Sequence, residues 1–215
     1  GGEDAESIDA ALMRSRSERE TPFRVVTPDD YAAIATSTPG LRFGRATALV
    51  DQIETRGECV PAHLVRVVVV PYGTRSQPVP SEGFLRAVDD HLQQHRLLTD
   101  RVTVEAPTYV GIGVDAEVRI GDGYAAAERT AAIEAALDDF LDPLSGFEGG
   151  GWPFGRPVYL SELYEVIESV EGVDYVPDIS VHARGETGRE EGNVTIPDTA
   201  LVAPETHSVF VRGGH

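Results

Sequence analysis

The strongest pattern in the chain is an alternation of apolar and polar positions near its middle. Between residues 110 and 120 every second side chain is apolar, and glycines or charged residues separate them: Val110, Ile112, Val114, Ala116, Val118 and Ile120. A period of two puts all the apolar side chains on one face of a strand. The segment therefore predicts a strand of a sheet that is covered on one face only.

Four other segments have the apolar spacing of helices. Thr27 is placed to cap the first helix and Ser81 to cap the second. The third runs from Tyr124 to Leu141, and the fourth takes Ser161 as its N-cap and Gly172 as its C-terminal cap. The apolar positions of these four helices are Tyr31, Ile34 and Ala35; Leu85, Val88 and Leu92; Ile133, Leu137, Phe140 and Leu141; and Leu160, Leu163, Tyr164, Ile167 and Val170.

Strand patterns complete the set of elements. They cover about 42 to 51, 63 to 70, 102 to 106, 176 to 183 and 207 to 212. Helices and strands in this order indicate an α+β fold, built from two small αβ-sandwich units with helices packed on one face of mostly antiparallel sheets.

The domain organisation follows from where these elements fall. Residues 1–21 are charged and poorly periodic, and we expect a flexible arm or a linker remnant, which with the Gly-Gly start suggests a fragment. Residues 22–107 form a first αβ domain and 108–215 a second αβ-sandwich domain. A polar stretch at about 184–193 with three glycines predicts a mobile loop in the second domain.

Charge narrows the classes of partner. The chain has 36 acidic and 18 basic residues, a formal charge of −18, and every basic residue is arginine. Such an acidic chain repels phosphate backbones, which argues against nucleic acid as a partner. The charge suits either a cationic partner or, as we favour, a halophilic protein that works in concentrated salt. No apolar run approaches the ~18 residues of a membrane span.

Candidate catalytic and metal-binding patterns are weak. His91 and His95 share a helix face but lack the other ligands of a zinc site, so we interpret them as a solvated pair. Gly111 and Gly113 lie inside the predicted strand instead of in a nucleotide-binding turn. Cys59 cannot form an internal disulfide, which suits a reducing cytoplasm, and its pairing with His63 is the only enzymatic option. We therefore predict no catalytic residues, no cofactor and no metal.

One segment has the composition of an interaction site. The run from Gly149 to Tyr159 contains the only tryptophan together with two prolines and four glycines. Aromatic residues and arginine often anchor interfaces. The candidate interaction residues are therefore Trp152, Phe154, Arg156 and Tyr159. Two interpretations remain open: the segment folds back onto its own domain, or it is presented to a partner.

Several short motifs, in order, resemble the baseplate J-like family of wedge proteins from contractile phage tails and related injection systems. The most specific is Gly151-Trp152-Pro153-Phe154-Gly155-Arg156-Pro157-Val158-Tyr159. The others are 24–31 with 39–41, 67–71, 142–144, 161–164, 172–176, 196–197 and 200–204. The resemblance covers about residues 22 to 212 and corresponds to the C-terminal portion of such a protein.

The resemblance implies a structural, non-enzymatic subunit of a phage tail-like particle. Its expected partners are other baseplate subunits (wedge, hub and sheath-proximal proteins) and copies of itself in a ring, without nucleic acid or membrane. The subunit would assemble in the cytoplasm and then form part of a virion or an injection machine. Two alternatives stay open: a regulatory αβ-sandwich module that binds a small molecule, and a hydrolase that uses Cys59 and His63.

Overall fold

Thr27 begins the part of the chain whose conformation is described. The structure is a computed structural model that describes residues 27–53, 62–73, 77–185, 188–190 and 192–213. The arm expected over residues 1–21 lies outside these ranges. The described residues divide into two compact units. The first runs to Tyr72 and resumes over Pro80–Ala106, and the second takes Gly73–Val79 and the chain from Pro107 onward. Gly73 and residues 77–79 are therefore grouped with the second unit.

The first unit begins with the capped helix that the sequence predicts. Helix α1 (Pro28–Thr36) has a capping box, in which Thr27 Oγ1 accepts the Asp30 N–H at 3.2 Å and Asp30 Oδ2 accepts the Thr27 N–H at 2.8 Å. This reciprocal pair satisfies two N–H groups that the first turn leaves open. The helix buries Tyr31, Ile34 and Ala35, as its apolar spacing predicts.

A three-stranded sheet supports this helix and a second one. Strands β1 (Phe43–Ile53) and β2 (Ala62–Pro71) are antiparallel, and β3 (Asp100–Glu105) pairs parallel to β2. Helix α2 (Glu82–Gln93) starts from the predicted cap, because Ser81 Oγ accepts the Phe84 N–H at 3.2 Å. Val88 and Leu92 are buried in the core of this unit, where α2 packs on α1 and β3, whereas Leu85 is half-buried.

The second unit is organised around one long strand. Strand β4 (Thr108–Ile120) pairs antiparallel with β5 (Val173–Arg184) on one edge. On its other edge it pairs in parallel first with β8 (Ala200–Pro204) and then with β9 (Ser208–Gly213). All six alternating apolar residues of β4 are buried, as predicted. They pack with helices α3 (Ala126–Leu141) and α4 (Leu160–Glu168), through Ile133, Leu137, Leu163 and Ile167 among others.

The start of α4 differs from its predicted start. The helix begins at Leu160 with Tyr159 as the N-cap and without a side-chain cap, so Ser161 is not the capping residue. Asn193 takes over that role from a distance, because its Oδ1 accepts the Leu160 N–H at 3.0 Å. The C-terminal prediction is also wrong, since the C-cap is Ser169. Gly172, with a φ of +90°, lies in the following turn.

The segment expected to be a mobile loop contains regular structure in its described part. Strand β5 extends to Arg184, and β6 (Gly188–Glu190) pairs antiparallel with β7 (Asn193–Thr195). The α+β class is confirmed, with helices packed against both larger sheets. Both of those sheets are mixed instead of mostly antiparallel, because β3, β8 and β9 each pair in parallel. None of the helices in the described ranges is long and apolar enough to cross a bilayer.

Candidate functional site

Trp152 lies in the core of the second unit. Its side chain is 0% exposed and meets the rings of Phe140 and Phe147 edge-on, with centroids 5.3 and 5.5 Å away. The indole Nε1–H donates to the Arg156 carbonyl at 3.0 Å, so the one polar atom of the ring is satisfied. For Trp152, the structure therefore agrees with the interpretation in which the segment folds back onto its own domain.

Arg156 fastens this loop to α4. Its guanidinium donates two hydrogen bonds to the carboxylate of Glu162, one of them 2.9 Å long, and this interaction raises the pKa of Arg156. The same guanidinium lies 4.0 Å from the centroid of the Phe147 ring and 5.1 Å from that of Trp152. A planar cation can stack on rings and bind a carboxylate at once, which lysine does less well. Arg156 therefore covers the rings of Phe147 and Trp152 and connects them to α4.

The other two candidates lie nearer the surface. Tyr159 is 40% exposed, and its ring centroid is 5.4 Å from the Arg156 guanidinium. Phe154 is half-buried in the turn between Trp152 and Arg156. The structure thus places the rings of Trp152 and Tyr159 close to the guanidinium of Arg156. Of the four candidates, Tyr159 offers the most surface to a partner.

Tight backbone packing holds the loop that carries these residues. Gly151 has a φ of +76°, and a Cβ there would lie 2.5 Å from the Pro143 carbonyl oxygen. Gly155 has a φ of +67°, and its Cβ would lie 2.8 Å from the Asp198 Cα. Only glycine fits these positions without strain. These two glycines therefore allow the loop to pack closely against its own unit.

The histidine of the enzymatic alternative belongs to a buried polar group in the first unit. His63 Nδ1 lies 3.3 Å from Asp100 Oδ1, and the Tyr31 hydroxyl donates to Asp100 Oδ2 at 2.5 Å. Burial and the bond to Asp100 raise the pKa of Tyr31, so the phenol stays protonated as the donor. Cys59 lies outside the described residues. The observed contacts give Asp100 a structural role, because it joins α1 to β3.

Local contacts explain the pair His91 and His95 and the glycines of β4. The rings of His91 and His95 meet edge-on at 5.0 Å, and His91 Nε2 lies 3.3 Å from Ser37 Oγ. Burial and the neighbouring His95 lower the pKa of His91. Gly111 and Gly113 lie within β4, as predicted, and leave room for side chains on the outer face. A Cβ on Gly113 would collide with the His182 ring.

His207 is a buried polar residue that the sequence did not single out. Its Nδ1 accepts the Val114 N–H at 3.1 Å, so this nitrogen is unprotonated. Its Nε2 is 3.3 Å from Asp138 Oδ1, off the line of a hydrogen bond. Burial lowers the pKa of His207, and the carboxylates of Asp138 and Glu134 oppose that shift only in part. Through its bond to Val114, the neutral ring connects the turn between β8 and β9 to strand β4.

A second surface, also missed from sequence, lies on the face of the second sheet opposite α3 and α4. There an open depression of about 350 Å³, which we call the outer depression, has a lining that includes Asp115, Glu117, Asp178, Ser180, Phe210 and Arg212. Phe210 is 74% exposed. The available signal was its register, because Phe210 stands on the polar side of an alternating strand, between Ser208 and Arg212.

No protein-family model matches the sequence, and no curated protein matches it. Among solved structures, the chain is similar to a chain of the anti-feeding prophage baseplate, determined by cryo-electron microscopy with sixfold symmetry imposed. The TM-score is 0.65 at 16% sequence identity, and the match covers 95% of this chain. It covers 43% of the baseplate chain, so this chain spans less than half of that length. The two chains share a fold.

Proposed function

We propose that the protein is a structural component of the baseplate of a contractile, phage tail-like particle. The observation that carries this proposal is the fold shared with the anti-feeding prophage baseplate chain over 95% of the present chain. The order of the motifs described above supports the same class independently, because it depends on the amino-acid sequence alone. Within that class we assign the chain to the wedge, as the baseplate J-like resemblance implies.

In this role the chain acts through protein–protein contacts and not through catalysis. Its partners would be other baseplate subunits and further copies of itself, arranged in a closed ring. Ring contacts require two different, complementary patches on each subunit. Tyr159, which is 40% exposed, is one side chain of the second unit that such contacts could use.

Particle purification from the native host tests the proposal. An epitope-tagged chain is expected to sediment with intact particles and to label one end of them in electron micrographs. If particles form and sediment while the tagged chain stays in low-mass fractions, the baseplate assignment is wrong.

The cysteine offers a separate test of the hydrolase alternative. Cys59→Ser is expected to leave incorporation into particles unchanged, because a structural subunit has no need of a nucleophile. A hydrolase activity that disappears with this substitution would favour the enzyme instead.

A further inference from the structure

The outer depression combines an exposed aromatic ring with several carboxylates. Phe210 is the most exposed aromatic side chain in the described ranges. On this sheet Phe210 stands opposite Glu117 in the register of β4 and β9. The ring thus lies directly beside the charged groups of the depression.

The carboxylates of the depression differ in how well they are neutralised. Glu117 is 3.2 Å from Arg212 and 3.6 Å from Arg119. Asp115 lies 3.4 Å from His182, which offers a charge only when protonated. Asp178 is exposed and has no ion pair within the described chain. Among the carboxylates of the depression, Asp178 therefore has no ion-pair partner in the described chain, and Asp115 is paired only with a histidine.

We propose that the outer depression accepts an arginine side chain from a different subunit of the assembly, an inference that rests on the proposed baseplate function. A guanidinium can stack on the Phe210 ring while its N–H groups bind the carboxylates of Asp115 and Asp178. Arginine fits better than lysine, because its planar group makes both contacts at once and is more weakly hydrated. Arg156 makes this same combination inside the protein, with Phe147 and Glu162.

Charge selects this occupant over the others. An apolar segment would bury the carboxylate of Asp178 without a partner, which is costly. A second copy of this chain would bring another formal charge of −18 against the same surface. A basic segment of a different subunit neutralises the carboxylates and covers Phe210 together.

Photo-crosslinking in the particle tests the contact directly. A photoreactive phenylalanine analogue at position 210 of the full protein, in purified particles, is expected to crosslink to a peptide of another subunit that contains arginine. The same analogue at Tyr175, 51% exposed on the same sheet, is the control and should not give that crosslink. A crosslink to a segment without arginine, to another copy of this chain, or no crosslink from position 210 overturns the inference.

Matched substitutions measure how much the proposed arginine contact contributes to incorporation into particles. Phe210→Ala and Asp178→Arg are each expected to weaken incorporation into particles about thirtyfold, as for a central interface anchor. Tyr175→Ala and Asp174→Arg, the controls, change the same kinds of exposed side chain on β5 and should have no effect. Substitution of the crosslinked arginine of the other subunit by aspartate should restore incorporation of the Asp178→Arg variant. Equal effects of test and control variants would contradict a specific site.

The outcomes also separate this inference from the proposed function. If the unmodified chain is absent from purified particles, the baseplate function fails and the inference fails with it. If the chain is present but the position-210 crosslink is absent, the outer depression alone is refuted.

Discussion

Trp152 and its ring neighbours give the second unit most of the aromatic area in its core. Phe140 comes from α3, Phe147 and Trp152 from the loop, and the three rings meet at tilted or edge-on angles. Such geometries suit the electrostatics of aromatic rings. The cluster links the loop to α3, so we expect a substitution at Trp152 to affect folding.

Trp152→Ala is expected to lower the free energy of unfolding by ~3–5 kcal/mol, because it leaves a large cavity. Chemical denaturation of the purified chain measures this. Tyr159→Ala, which removes a 40% exposed ring from the same loop, is the control. A surface change of that kind should stay within about 0.5 kcal/mol. Unchanged stability of the Trp152→Ala variant would contradict the buried position.

His207 gives the second unit a dependence on pH. Its folded-state pKa is lower than the ordinary value of 6.5, so the unfolded chain binds a proton first as the pH falls. Its contribution to stability is thus present at neutral pH and is lost below about 6.5. His207→Asn removes the titration and keeps an acceptor for the Val114 N–H. From pH 7 to 5 the wild type should lose stability relative to this variant, and parallel unfolding curves would refute the assignment.

Among the elements, strand β4 is the one on which most of the second unit is built. Its inner side chains form the core, and its outer glycines admit side chains from neighbouring segments. Glu205 crosses Gly111 and is bound by Arg184 at 3.1 Å, while the His182 ring lies over Gly113. The two glycines therefore have different tolerances, because beside Gly113 a backbone oxygen lies in the way as well.

Gly113→Ala is expected to destabilise the protein by ~1–3 kcal/mol, the usual cost of overpacking. Its Cβ would lie 2.7 Å from the Thr206 carbonyl oxygen, which cannot rotate away. Gly121→Ala is the matched control, since no atom of the described residues lies within 4 Å of a Cβ there. Denaturation midpoints of the two variants decide the point, and equal midpoints would contradict it.

Sequence could predict those elements whose cause is local. The alternation in β4 and the caps at Thr27 and Ser81 are written in adjacent residues, and the structure confirms them. Strand β8 was missed because Ala200–Pro204 is a short apolar run without alternation, and it is a strand only through its pairing with β4. The start of α4 depends on Asn193, more than thirty residues away, which no local pattern reveals.

The candidate site could likewise be predicted from the sequence only in part. Its composition drew attention to Trp152 and Arg156, but composition cannot distinguish a buried anchor from an exposed one. Contacts with Phe140 and Phe147 decide that question, and they arise from the packing of the loop on α3.

At the scale of the whole molecule, the dominant property is its charge. A formal −18 on 215 residues makes the compact state repel itself when salt is low. We propose that the protein is suited to concentrated salt. Charge repulsion extends over a Debye length of about 10 Å at 0.1 M and about 3 Å at 1 M.

The melting temperature is therefore expected to rise substantially between ~0.1 and ~2 M KCl, because the repulsion becomes screened. Thermal unfolding followed by circular dichroism measures this. Asp122→Asn combined with Asp174→Asn, two exposed positions, should reduce the salt dependence. A melting temperature that stays flat over this range would refute the halophilic proposal.

The pairing of β9 with β4 also determines how the second unit bears tension. The two strands run in the same direction, with pairs from Asp115–Ser208 to Ile120–Gly213. The start of β4 and the end of β9 therefore lie at opposite ends of the ladder. A pull that enters at Thr108 and leaves at Gly213 slides the strands along each other and loads all of these pairs together. A pull across the strands would open them one at a time, so the second unit resists stretching most strongly along β4.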